Sequence, residues 1–489
     1  MATKKKHLHK SIFTALLTIA AFSLTSAQSV YAQQHEYNEG INPVTDIVAN
    51  VSGYDEFAVR VNTGATLELS GANGNVSSSG GGASYGLYAF GGVITSIGTL
   101  NVTTSGSWSP SALIAKNSGT ITLSSEATTT INTLGDGAHG LSADDTGKIH
   151  GDGTITISTA GQWLAAIKAS NGGEITLGDD STVTIDTGSA SGGNGVHAQS
   201  SGTVSIKGSL SVTTKGQWAQ GVYAENGTIT LEEGSSVKIS TKNESNALYV
   251  KDGEIFVKGV LDIETEDDNS LGVAVRENGK ITLSSASNTT VTTNGLNAHG
   301  FSVNDGEILS NGAVTITTDG EESDGFFVSD NGIITHSGIL VVTTNNSGSR
   351  GIYADAATGS AEILLSGDID VKTNGENGHG IYALNGGEIT VDDDVNVLTS
   401  GNNAYGVVSI GAGSKVDMTD AAAGTIKTSG NGANGLHADN GTIQIANHQV
   451  STYGRPIYNR YFFSRSNRSC GNGSRNHFCC ERVVSPSGK

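Results

Sequence analysis

Cysteine is almost missing from this chain of 489 residues: there are three, Cys470, Cys479 and Cys480, all near the C-terminus. The body between 33 and 452 has none, which excludes a disulfide framework or a cysteine-based metal site there. For a chain that crosses an oxidising compartment before folding, the same lack removes the chance of a premature bridge. Proline (4), methionine (2) and tryptophan (3) are also scarce. After residue 32 no apolar run is long enough to span a bilayer as a helix. Positive charge is the other shortage. Residues 33–452 carry 16 Lys and Arg against 46 Asp and Glu, a net of about −30. A surface of that sign repels nucleic acid, so DNA and RNA are not expected partners. The acidity itself is what keeps a large exposed surface soluble.

Glycine is abundant instead, at 68 residues, about twice ordinary usage. Ser, Thr, Asn and Asp are plentiful, and Val, Ile, Leu and Ala come in short alternating bursts. That is the balance of many short strands joined by many turns.

Residues 1–32 read as a secretory signal peptide. Lys4, Lys5, Lys6 and Lys10 precede an apolar stretch from Ile12 to about Leu24, and small residues lead to Val30-Tyr31-Ala32. Cleavage is expected between Ala32 and Gln33, with the bond after Ala27 as the weaker alternative. The mature chain is therefore expected to be exported.

An internal repeat defines the architecture. A small residue recurs every 25 to 29 positions, fifteen times from Ala58 through Gly86, Gly140, Gly221 and Gly325 to Gly435. The residue after each of these anchors is apolar (Val59, Leu87, Ile167, Phe326, Leu436), and the third after it is Ala, Val or Ser. The residue between varies freely, as expected of a strand with one buried face. A second strand (Glu174-Ile175-Thr176-Leu177) and a third (Thr154-Ile155-Thr156-Ile157) complete each copy. Gly, Asn and Asp between them supply the positive φ of tight corners. The pattern predicts an all-β chain: a right-handed parallel β-helix (solenoid) of about 15 three-stranded rungs over 54–452. Residues 33–53 are expected as a lead-in or cap, and 453–489 as a non-repetitive basic tail. An up-and-down barrel would need longer strands and hairpin turns.

Trp108, Trp163 and Trp218 are spaced by 55 and 55 residues, two rungs each, and sit three or four residues before an anchor. They are expected to form a row along one corner. With Tyr88, Tyr223, Tyr249, Tyr353 and Tyr382 they are the candidate ligand contacts, since rings along a rod can stack on sugars or dock on a protein.

The signal peptide, the acidic Cys-free body and rungs such as GIYADAATGSAEILLSGDIDVKTNG and GHGIYALNGGEITVDDDVNVLTSG resemble passenger domains of pertactin-like autotransporters (type V secretion). The resemblance covers about 33–452. It implies passage across the outer membrane with a C-terminal translocator barrel, display at the cell surface or release outside it, and an adhesive, virulence-associated role toward host or neighbouring-cell proteins or glycans. The chain departs from that family after 452. No run of alternating strands of the kind a barrel needs follows, and six of nine Arg, two of four Pro and all Cys fall in 453–489. Either a reading-frame shift replaced the next rung, leaving a truncated and periplasmic product, or the basic tail is native.

No enzymatic activity is expected. A serine-nucleophile string such as GDSGG is absent. His139, His299 and His379 just before anchors, and His197 and His437 two after, follow the rung period and are expected at solvent-facing corners. The acidic loops Asp392-Asp393-Asp394 and Glu266-Asp267-Asp268 lack the calcium-binding nonapeptide, so no metal, cofactor or catalytic residue is assigned. The alternative is a secreted β-helix enzyme acting on polysaccharide, which would need convergent acids in one groove.

Overall fold

The computed structural model describes residues 34–454, apart from 72–73, 81, 83, 107–109 and 422, together with a short strand, Arg482–Val484. The signal peptide, its cleavage site at Ala32 and Gln33, Trp108 and the three cysteines lie outside the described residues.

The predicted repeat is a β-solenoid. A coil has three strands, as in Ala165–Ala169, Glu174–Leu177 and Thr182–Thr187. The next coil repeats them as Asn194–Gln199, Thr203–Ile206 and Ser209–Thr214. Successive coils pair parallel and in register: Ile167 faces Val196, Ile175 faces Val204 and Ile185 faces Val212. First and second strands belong to one sheet and third strands to a second sheet of 16. The two kinds of strand merge where Val273–Leu283 and Phe301–Ser310 run through the first corner without a break. Sixteen coils at about 4.8 Å each make a rod on the order of 70 Å long. Among the described residues there is no helix.

Residues 33–53, expected as a lead-in or cap, carry a coil of their own: His35–Tyr37, Gly40–Val44 and Val48–Val51 pair parallel with the coil that follows. At the other end Arg482–Val484 pairs antiparallel with Thr442–Gln444 of the last coil.

The anchors are small for a steric reason. The third strand of each coil turns a β-branched side chain onto the start of the first strand. A Cβ on Gly325 would lie 2.3 Å from Val342 Cγ1 and 2.5 Å from the Gly351 carbonyl oxygen. The residues after the anchors then fill the interior, fully buried from Val59 to Val407. Phe301 and Phe326 stack there with ring centroids 5.1 Å apart. The third strands from Thr99–Thr104 to Gly424–Thr428 each end on a buried Thr, in an unbroken column from Thr104 to Thr428. In later coils its hydroxyl donates across the corner, as Thr265 does to the Ser270 carbonyl at 2.8 Å. The hydroxyls of Thr133, Thr159, Thr187 and Thr214 have no protein partner.

Candidate functional site

The outer face of the first strands is a packed layer. The expected outward rings are there, but they stack on one another: His197 on Tyr223 at 4.6 Å, Tyr223 on Tyr249 at 5.0 Å, Phe327 on Tyr353 at 5.2 Å and Tyr353 on Tyr382 at 5.1 Å. Tyr88 lies against Tyr85 and under the Arg60 guanidinium. Tyr353 is only 6% exposed. These rings hold the face together and leave few edges free.

The residues just before the anchors form a second column, and it corrects the expectation of solvent-facing histidines. His139 is buried. Its Nδ1 accepts the Ala165 N–H of the next coil at 3.0 Å; His299 accepts the Asp324 N–H at 2.9 Å, and His379 the Tyr405 N–H at 3.0 Å. Asn and Gln do the same elsewhere: Asn194 accepts the Gln220 N–H and Asn246 the Leu271 N–H. The slot needs a side-chain acceptor because the backbone ladder is interrupted at this corner. Burial of the ring holds His139 and His299 down to about 3, and His197, His336 and His379 down to about 4. All five are neutral at ordinary pH. The 3.3 Å approach of His299 Nδ1 to Asp324 Oδ2 is therefore not an ion pair, since that nitrogen already accepts a proton from the backbone.

The third corner, between third and first strands, is built differently. Three residues before the anchors, among the described residues, the backbone is left-handed: Gly137, Gly192, Asn269, Asn297, Asn377 and Asn403 have positive φ, and so do Asp55, Glu244 and Glu322. Gly and Asn suit that region; bulky residues do not. Trp163 (φ 54) and Trp218 (φ 58) occupy the same slot. They are 64% and 52% exposed. The slot is tied from coil to coil: Trp163 N–H donates to the Ser191 carbonyl at 3.0 Å and Gly192 N–H to the Gln217 carbonyl at 2.9 Å. The Trp163 benzo ring lies against Gly192, where a Cβ would come within 2.5 Å of its Cε3. Beside Trp218 the corner hollows into an open groove of about 590 Å³ lined by Gln217, Asn243, Glu244, Glu266, Asp267 and Asp268. The sequence pointed to the tryptophans. It did not point to Gln217, Asn243 or Glu244, although their fixed distance from the anchor was a usable signal.

A family model described as the BigA third pectate lyase-like domain matches residues 165–417, just over half of the chain. The chain belongs to this family. Neither the curated proteins nor the solved structures contain a match to it.

Apart from surface pairs such as Lys215–Asp186 and Lys280–Glu307, carboxylates within the BigA-domain span gather in two places that bear on chemistry. Asp324 lies beside Arg350, whose Nη1 is 3.3 Å from both carboxylate oxygens and whose N–H donates to Oδ1 at 2.7 Å. Burial pushes the Asp324 carboxyl up to about 7 against the pull of Arg350. That is the range of a general acid, but Asp324 is fully buried and no polymer reaches it. The second place is the corner groove, where the acidic loops serve the backbone: Asp267 accepts the Asn243 N–H and Asp268 the Leu296 N–H, both at 2.8 Å. Asp393 and Asp394 likewise accept the Gly367 and Ala423 N–H groups. Among the described residues no three His, Cys, Asp or Glu side chains converge to hold a metal ion.

Proposed function

We propose that the chain is the β-helical passenger of an autotransporter-like surface protein, and that it acts by adhesion, its third corner contacting a glycan on host or neighbouring cells. Residues 1–32 direct export in this reading, and the BigA-domain rod is what reaches the partner. One observation carries the assignment of the corner. Two large apolar rings stand exposed in a corner slot that the other described coils fill with Gly, Asn or an acidic residue. Large apolar side chains left in water at a corner that otherwise takes small or polar residues mark a contact surface. The buried Asp324 cluster offers no comparable access, so binding is favoured over catalysis.

The test replaces Trp163 and Trp218 together with Asn, the residue that holds the same backbone at Asn297 and Asn377. Cells displaying the variant are expected to lose adhesion, while the rod keeps its circular dichroism spectrum. Full adhesion by a folded double variant removes the corner from consideration. Fractionation with an antibody to the rod checks export. Retention of all the protein in the cytoplasm contradicts the role assigned to residues 1–32.

A further inference from the structure

We infer that the ligand of the tryptophan corner is an extended, uncharged β-1,4-linked polysaccharide lying along the rod axis. This rests on the reading that the corner is where the chain binds, and it adds the chemistry of what is bound.

The spacing carries the argument. The left-handed slots are tied one to the next by backbone hydrogen bonds, Trp163 to Ser191 and Gly192 to Gln217. They therefore rise with the coils, by roughly 4.8 Å each. Trp163 and Trp218 are two coils apart, so their rings recur at roughly 9.6 Å. The slot between them carries no ring of its own. Gly192 stands there, and the Trp163 ring occupies the space a side chain would need. The corner thus presents one indole for every two coils. In sequence Trp108 precedes Trp163 by the same 55 residues that separate Trp163 from Trp218.

An all-equatorial 1,4-linked pyranose chain is a flat ribbon. Each sugar advances it by close to one coil height and turns over relative to the last. Every second sugar therefore presents the same face to the same side, at the interval of two coils. Two indoles at that interval meet equivalent C–H faces of sugars one and three. An α-1,4 chain curls away from a straight row. Charge narrows the class further. The groove beside Trp218 is lined by Glu244, Glu266, Asp267 and Asp268, on a body of net charge about −30. Uronate, sulfate and phosphate chains are repelled by such a surface. Gln217 and Asn243 on the same groove offer amide groups to sugar hydroxyls.

The experiment is calorimetric titration of the full chain with β-1,4-linked di-, tri- and tetrasaccharides, one series of glucose and one of N-acetylglucosamine. The two arms distinguish the sources of one shared geometry. A disaccharide reaches one indole and a trisaccharide both. Affinity is expected to rise roughly fivefold or more from di- to trisaccharide in at least one series. Trp218→Asn should remove that step and leave disaccharide binding at Trp163. α-1,4-Glucan and oligogalacturonate should show no step. If neither series shows it although Trp163→Asn/Trp218→Asn cells no longer adhere, the ligand class is wrong and the corner stands. Oligogalacturonate binding as tightly as the neutral chains also overturns the class. Unchanged adhesion by the double variant overturns the corner itself.

Discussion

Mild acid should loosen this rod through its buried histidines. Five histidines, His139, His197, His299, His336 and His379, are held by burial far below 6.5. The unfolded chain binds protons there that the folded chain refuses, so stability is full above about pH 6.5 and falls as pH drops below it. At pH 5 each such histidine is worth about 2 kcal/mol of lost stability, whatever its folded value below that pH, and the five together about 10 kcal/mol. Asp324 works the other way. Its folded carboxyl, raised from 3.8 to about 7, takes up a proton between pH 7 and 5 that the unfolded chain does not, returning about 2–3 kcal/mol. The net expectation is a loss of about 7 kcal/mol from pH 7.5 to 5. Urea unfolding followed by far-ultraviolet circular dichroism at the two pH values reads it as a lower midpoint. His139→Asn and His379→Asn keep an acceptor for the next coil's N–H, as Asn194 and Asn246 do, but do not titrate. Each should narrow the gap between the two midpoints by about 2 kcal/mol, and any packing change cancels in the difference. A midpoint at pH 5 equal to or above that at pH 7.5, or a gap the Asn variants leave untouched, refutes the reasoning.

The threonine column offers a paired test. Thr265→Val removes a hydroxyl that donates to Ser270 and should cost about 1–2 kcal/mol, because the carbonyl is left buried without its donor. Thr133→Val removes a buried hydroxyl with no protein partner and should be neutral or stabilising in the same urea experiment. Phe301→Ala empties half of the stacked pair with Phe326 and should cost about 3–5 kcal/mol. Because coils contact mainly their neighbours, its melt should broaden or split rather than shift as one transition. Trp163→Asn should hold or raise the urea midpoint, since it relieves a left-handed bulky residue; a marked fall would show that the indole is there for packing.

Fold class was legible because a coil of about 27 residues repeats its demands. The anchor is small, the next residue apolar and the third small or β-branched, and those demands recur fifteen times. The lead-in was less legible. Its strand Gly40–Val44 contains Pro43, and Ile41 points outward and is exposed, so the pattern fades although the pairing persists. The histidines were misplaced for a different reason. Period locates a residue on a corner but does not say what packs over it, and His139 and Asn194 look equally polar in a sequence. That both accept a neighbour's N–H depends on two coils being stacked.

The tryptophans divide in the same way. Their types, their 55-residue spacing and their place before the anchors are properties of the sequence alone. So are the acidity of the body, the scarcity of cysteine and the coil period, because each follows from residue identity and count. What only the tertiary structure decided is the conformation at Trp163 and Trp218, the contact of the Trp163 ring with Gly192 and the groove of amides and acids beside them. Those arise from stacking. A left-handed slot, an exposed ring and a shared groove exist only when successive coils, 25 to 29 residues apart in the chain, are brought to within one strand spacing of each other.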